Sequence, residues 1–195
     1  MRKCLFIIFL AAISCRDNGS SYTSFTNDPL TYCKTVKALN NIVLENNFAP
    51  MVAARNYVYA NIAAYECMVA GDGKWQSLAG QIRHMPTMPR LAQGAQIDHD
   101  LAALLAFVKV GNAVTFPEGS MMKHYEQLVH EADSMGIPAA KLRDTKMFAD
   151  TIAQAIIAWS KGDHYSQTRG ASRYEVNETP GRWVPTPPMY ATAVE

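Results

Sequence analysis

The sequence has little cysteine, no strong charge of either sign and no apolar run long enough to cross a membrane. Two of the four cysteines lie in the body of the chain, Cys33 and Cys67, and they do not stand at metal-ligand spacing. The formal net charge of +1 offers no basic face, so no nucleic-acid partner is expected. The apolar run at residues 5–13 is shorter than the roughly 20 residues that a transmembrane helix needs.

Motifs for several common chemistries are also missing. The sequence has no P-loop, no Gly-x-Gly-x-x-Gly turn, no His-Glu-x-x-His pair and no Gly-x-Ser-x-Gly elbow. The five histidines do not stand at metal-ligand spacing, and Asp98, His99 and Asp100 point in different directions at a helix start. We therefore predict no metal site and assign no catalytic residue from these motifs.

The first residues predict export. Arg2 and Lys3 precede an apolar run with the length of a signal-peptide core, and small residues then lead to Cys15. This pattern resembles a lipoprotein cleavage box. It predicts a signal peptide at residues 1–14, a lipid anchor on Cys15, a polar tether over 15–28, and a periplasmic, outer-membrane or cell-surface location. The alternative is ordinary cleavage nearby, with Cys15 incidental.

Apolar spacing in the rest of the chain predicts an all-α fold, a helical bundle over residues 29–162. The five main helices are expected at about residues 29–46, 50–70, 98–114, 118–135 and 139–161. The second of them is apolar nearly all round, which is typical of the central helix of a bundle. Residues 74–96 are expected to be irregular because they contain several prolines and glycines.

The C-terminal residues, 163–195, are polar and then proline-rich, which predicts an extended strap laid over the bundle surface. Arg169 and Arg173 in this strap are candidates to hold an oxyanion through bidentate hydrogen bonds. The alternative is that they form ion pairs with Glu175 and Glu178 and so pin the strap.

Arg55 and Glu66 are the charged residues of the second predicted helix, and eleven positions separate them. Eleven residues is close to three full turns, so both lie on one face of the helix. Buried charges must be paired or hydrogen-bonded. The two residues are therefore predicted to belong to a polar network in the bundle core, with a structural role or as part of an anion-binding site.

Three stretches carry the most informative pattern. They are residues 44–70 (LENNFAPMVAARNYVYANIAAYECMVA), 119–121 (GSM) and 153–190, which includes WSKGD, TRG and PGRWVPTPP. Together they resemble bacterial vanadium-dependent haloperoxidase-like proteins of the type 2 phosphatidic acid phosphatase and haloperoxidase superfamily. The resemblance implies an all-helical fold. It also implies a vanadate bound, in the complete family, by lysine, arginine, serine-glycine and histidine groups.

The oxyanion-binding motifs of that family do not occur in this sequence. There is no Arg-Pro pair and no Pro-Ser-Gly-His, and no histidine follows Ser172-Arg173. In the family these motifs come after the proline-rich strap, and this chain ends just beyond its strap, at Glu195. We therefore expect no catalytic residue and no cofactor in this chain.

Three interpretations of function follow. The first is an N-terminal scaffold portion of a haloperoxidase-like or acid-phosphatase-like protein, inactive alone. The second is a stand-alone exported helical lipoprotein that acts as a binding or partner module. The third is a structural subunit whose other half is a separate chain. Because the second helix needs neighbours on most sides, the chain is expected to bind a missing C-terminal half or to self-associate.

Overall fold

A computed structural model describes residues 19–90, 93–172 and 174–191. The described part of the chain is helical, with a single isolated bridge between Ala79 and Ile82 and no paired strands. The helices are α1 (Gly19–Thr26), α2 (Pro29–Glu45), α3 (Pro50–Val69), α4 (His99–Val114), α5 (Met122–Ser134), α6 (Ala139–Ser160) and α7 (Tyr165–Arg169). The prediction of an all-α bundle with about five main helices is confirmed.

Local signals place most helix ends correctly. Asp28 is the N-cap of α2, and its side chain accepts a hydrogen bond from the Leu30 N–H at 2.9 Å. Pro29 and Pro50 occupy the first turns of α2 and α3, where no backbone donor is needed. Gly136, with φ of 92°, ends the turn after α5, as a left-handed residue commonly does after a helix.

The central helix is α4, which corrects the assignment of that role to residues 50–70. The side chains from Leu101 to Val108 are all buried, and α4 packs against α2, α3, α5 and α6. The segment LAALLAFV is apolar without interruption, so every side of the helix can be covered. In contrast, Met51 and Val58 of α3 are more than half exposed.

The polar tether predicted over residues 15–28 is wrong for the part that the structure describes. Residues 19–26 form α1, which packs against α5. The Tyr22 side chain is buried in the core, and its hydroxyl accepts a hydrogen bond from Lys141 Nζ at 3.2 Å. Phe25 also packs against the core and Thr26 is buried, so one face of α1 holds this short helix on the bundle.

The start of α5 differs from its prediction near residue 118. Residues 116–121 form turns, and Gly119 has φ of 87°, which an α-helix does not allow. The irregular structure expected for residues 74–96 is found wherever that segment is described. No helix among the described residues is both long and apolar enough to cross a membrane.

The strap is only partly as predicted. Residues 161–163 form a 3-10 turn and residues 165–169 form α7, so the strap begins as helix rather than extended chain. Residues 170–172 and 174–191 hold no helix, but almost all their side chains are exposed. They are therefore not buried against the bundle. The Tyr174 hydroxyl instead donates to the Trp183 carbonyl at 3.1 Å, which folds the strap on itself.

Candidate functional site

Arg55 lies at the point where α3, α6 and the strap meet. Its Nε donates to Asp163 Oδ2 at 2.6 Å, and its Nη2 donates to Asp163 Oδ1 at 3.4 Å and to the Ser160 carbonyl at 3.3 Å. Arg55 and Asp163 are 108 positions apart in the sequence. This bidentate ion pair therefore joins the first half of α3 to the end of α6.

Two tyrosines complete this cluster. The Arg55 guanidinium lies 5.1 Å from the ring centroid of Tyr59 and 4.5 Å from that of Tyr165. The Tyr59 hydroxyl donates to Asp163 Oδ2 at 3.1 Å, and its ring meets that of Trp159 edge-on. We call Arg55, Tyr59, Asp163 and Tyr165 the Arg55 clasp. Asp163 belongs to the WSKGD segment, so this segment holds the beginning of the strap on the bundle.

Charge within the clasp is balanced internally. Burial alone would raise the pKa of the Asp163 carboxyl, but hydrogen bonds from Arg55 and from the Tyr165 N–H, and the Arg55 charge, hold that pKa below its usual range. The pKa of Tyr59 is raised by burial and by the neighbouring Asp163, and Arg55 opposes this rise. The clasp therefore contains a carboxylate and a guanidinium that neutralise each other.

Glu66 lies outside the clasp, which corrects the prediction of one polar network with Arg55. The two residues share a face of α3 but are roughly 16 Å apart along its axis. Glu66 is 2% exposed, and its carboxylate accepts from Ser77 Oγ and from the Leu78 N–H, each at 2.7 Å. It anchors the irregular segment after α3 to the bundle. Burial raises the pKa of the Cys67 thiol, and the negative charge of Glu66 adds to this rise.

The predicted anion-binding pair in the strap falls only partly within the described residues. Arg169 is exposed at the end of α7. Arg173 lies outside the described residues, as does the predicted lipidation site Cys15. The sequence did not reveal Asp163 and Tyr59 as partners of Arg55, although Tyr59 lies about one turn after Arg55 on α3 and Asp163 belongs to the WSKGD segment.

The Arg55 clasp does not fit a vanadate. Binding a highly charged oxyanion requires several cationic donors that point at one position with free hydrogen bonds. The Arg55 guanidinium is already engaged by Asp163, by the Ser160 carbonyl and by two aromatic rings. Arg169 is exposed at the end of α7 and is not a member of the clasp. We therefore derive no chemical step through vanadate in this chain.

Other polar side chains join helices in pairs. His124 Nε2 lies 2.9 Å from Thr35 Oγ1, which links α5 to α2, and burial lowers the pKa of this imidazole while Gln127 opposes the change. Lys109 of α4 forms an ion pair with Asp150 of α6.

Within residues 19–90, 93–172 and 174–191, no three His, Cys, Asp or Glu side chains are grouped to hold a metal ion.

The clasp makes a testable contribution to stability. We expect Arg55→Gln to lower the free energy of unfolding at pH 7 by about 1–2 kcal/mol, because a partly buried, charge-assisted pair is lost. The pKa of Asp163 is lowered in the fold, so its contribution is present above the unfolded pKa of about 3.9 and is lost as pH falls through the folded value. Urea denaturation at pH 7 and near pH 3 measures both effects.

Arg143→Gln is the matched control, because the Arg143 side chain is 67% exposed in its pair with Asp144. Its effect should stay within about 0.5 kcal/mol. An equal loss in both variants, or a loss for Arg55→Gln that is the same at both pH values, would contradict the structural role of the clasp.

The architecture is similar to that of a protein whose structure has been solved. A solved crystal structure of a bacterial vanadium-dependent iodoperoxidase superposes with a TM-score of 0.75 and 29% sequence identity over 84% of this chain. No family model matches the sequence, and a search of curated proteins finds no match. The fold is therefore haloperoxidase-like, and the sequence identity supports a relationship beyond shared shape.

The match is unequal in length. The chain spans 39% of the iodoperoxidase chain, which is well under half of that protein. The Arg55 clasp and α3 are thus parts of a haloperoxidase-like helical fold.

Proposed function

We propose that this chain is the N-terminal scaffold portion of a bacterial vanadium haloperoxidase-like or acid-phosphatase-like protein and is inactive by itself. The observation that carries the proposal is the match to the iodoperoxidase, which extends over 84% of this chain but 39% of the other. The superfamily resemblance of the segments around WSKGD and PGRWVPTPP is consistent with it.

The chemistry of the site supports a scaffold role. The best-formed charged cluster of the described residues, the Arg55 clasp, uses its guanidinium for an internal carboxylate. A guanidinium that is neutralised in this way holds elements together and has little capacity left for a substrate oxyanion. In this role the clasp fixes the angle at which the strap leaves the bundle.

The experiment is an activity assay of the purified 195-residue chain. We expect no vanadate-dependent oxidation of iodide or bromide by hydrogen peroxide, and no hydrolysis of a phosphate ester, above a heat-treated control. Activity that saturates with substrate and is lost on heating would refute the scaffold proposal. Reading the DNA beyond codon 195 for the lysine, arginine and Pro-Ser-Gly-His motifs tests separately whether a catalytic portion accompanies this one.

One observation favours the second candidate, a stand-alone exported helical module. The core around α4 is closed by the described helices themselves, with Leu101, Leu105, Phe107 and Val108 fully buried. A monomer that melts cooperatively and binds no dye for exposed apolar surface would favour this module. Self-association or strong dye binding, suppressed by a catalytic portion added in trans, would favour the scaffold.

Export with lipidation at Cys15 forms part of the proposal. The support is the basic start, the short apolar run and the small residues before the cysteine. We expect a labelled fatty acid to be incorporated into the wild-type protein in a bacterial host and not into Cys15→Ala. Equal labelling of both proteins would rule out Cys15 as the attachment site.

A further inference from the structure

A cavity of about 280 Å³ lies where the beginning of α2, the end of α3 and the first turns of α4 meet. We call it the Asp100 cavity. Tyr32 of α2, Met68 of α3, and Ala103 and Leu104 of α4 line it, and the turn between α1 and α2 also contributes. Small-molecule sites usually measure about 300–1,000 Å³, so this cavity has room for a compact ligand only.

The walls of the Asp100 cavity are mainly apolar. Ala103 and Leu104 belong to the core and are each 2% exposed, whereas Met68 is 47% exposed and lies on the solvent side. The Tyr32 hydroxyl donates to Asn61 Oδ1 at 2.7 Å, so the polar atom of this side chain already has a partner. None of the described residues that line the cavity is a lysine, an arginine or a histidine.

Asp100 brings an unpaired carboxylate to these apolar walls. Within residues 19–90, 93–172 and 174–191, its side chain has no hydrogen-bond or ion-pair partner. The cap of α4 is supplied by Asp98, which accepts from the Leu101 N–H at 2.8 Å, so the helix does not need Asp100 for this purpose. The other carboxylate at the cavity, that of Asp28, is engaged as the cap of α2.

The surroundings of Asp100 disfavour its negative charge. Burial raises the pKa of the Asp100 carboxyl, the nearby Asp98 adds to the rise, and His99 opposes it. A bound cation would act against both causes of the rise, because an opposite charge at close range favours the ionised carboxylate. Charge and shape together therefore suit a ligand with one cationic group and an apolar body.

We propose that the Asp100 cavity binds a small apolar amine, whose ammonium group pairs with the Asp100 carboxylate while its hydrocarbon body packs on Tyr32, Ala103 and Leu104. An ammonium group offers three donors, and its hydrogen bonds to a carboxylate are of the strong, charge-assisted kind. Aromatic and aliphatic walls favour an aromatic or alkyl body. This site goes beyond the scaffold function and does not depend on it, since no part of the cavity belongs to the Arg55 clasp.

The test is calorimetric titration of the purified 195-residue chain with three probes of similar size. They are 2-phenylethylamine, which carries a positive charge at pH 7, the neutral 2-phenylethanol and the anionic 3-phenylpropanoate. We expect the amine to bind about tenfold more tightly than the alcohol, because only the amine forms a charge-assisted hydrogen bond. The anion is expected to show no binding.

Asp100→Asn removes the charge and keeps the shape of the side chain. It should weaken binding of the amine about tenfold and change binding of the alcohol less than about twofold. Asp133→Asn is the matched control, because Asp133 is an exposed carboxylate of α5 that does not line the cavity. It should leave the affinity for the amine unchanged.

Met68→Lys tests the site from the opposite wall. The exposed methionine can be replaced without disturbing the core, and the lysine adds to the cavity an ammonium group that competes with the ligand for Asp100. The affinity for the amine should fall about tenfold. Met147→Lys, at a side chain of α6 that is 59% exposed and outside the cavity, should not change it. Unchanged far-ultraviolet circular dichroism of the variants excludes unfolding.

Equal binding of the amine and the alcohol, no binding of the amine, or amine binding that survives Asp100→Asn would overturn the proposal. Tighter binding of Nα-acetyl-lysine methylamide than of 2-phenylethylamine would also overturn it, in favour of a lysine side chain from a partner protein. These outcomes are distinguishable from failure of the scaffold function, because that function is tested by catalytic activity and not by amine binding.

Discussion

Phe107→Ala is expected to lower the free energy of unfolding by about 3–5 kcal/mol, enough to leave much of the chain unfolded at 37 °C. Phe107 is 0% exposed in the middle of α4, and its ring meets that of Tyr32 edge-on with centroids 5.8 Å apart. The substitution removes a large apolar group and leaves a cavity between α4 and α2, which helices crowded on several sides cannot close. Urea denaturation followed by circular dichroism measures the loss.

Phe116→Ala is the matched control because the Phe116 side chain is 49% exposed and its ring contacts that of Phe48 at a centroid distance of 4.4 Å. Its cost should be about 1 kcal/mol, since one exposed aromatic pair is lost and no enclosed cavity forms. Similar losses for the two phenylalanines would mean that α4 is not the centre of the core.

Gly71→Ala is expected to cost about 3 kcal/mol, the upper part of the range for an inserted methyl group. A Cβ at Gly71 would lie 2.3 Å from His99 Cδ2 and 2.5 Å from His99 Cγ. The imidazole has no room to retreat, because its Nδ1 is 2.8 Å from the Cys67 carbonyl and its ring packs edge-on against Phe148. The close approach of the end of α3 to the start of α4 therefore requires glycine.

Gly73→Ala provides the comparison two residues away. A Cβ at Gly73 meets nothing within 4 Å, so this variant should change stability by less than about 0.5 kcal/mol. In a double-mutant cycle, His99→Ala should remove most of the additional cost of Gly71→Ala, because the clash partner is gone. Additive losses in the double variant would show that backbone conformation, and not the ring, limits residue 71.

These two contacts matter for the proposed function because they position α3. The Gly71–His99 approach holds its C-terminal end, and the Arg55 clasp holds its first half against α6. With both ends held, α3 keeps a fixed position against α4 and α6.

Only part of the candidate site could be predicted from the sequence. The sequence indicates that Arg55 and Glu66 have polar partners, because a charged side chain in an apolar helix must be paired or hydrogen-bonded. Their partners could not be predicted, because Asp163 is 108 residues from Arg55 and no local rule links the two positions. The shared helix face predicts that Glu66 and Arg55 belong to one network. Eleven residues are roughly three turns, however, so the two side chains are too far apart along the helix axis to meet.

The all-helical class and most helix ends follow from local patterns along the sequence. Asp28, Pro29, Pro50 and Gly136 act through the backbone of their own turn, so their effect does not depend on the rest of the fold. Packing between distant segments sets three further features: α4 is the central helix, residues 19–26 pack as α1, and the outer face of α3 leaves Met51 and Val58 exposed. The physical reason is that two apolar helices compete for the same interior. Packing between segments that are distant in sequence determines which of the two helices is buried on every side. The composition of α3 alone does not show which of its faces is exposed.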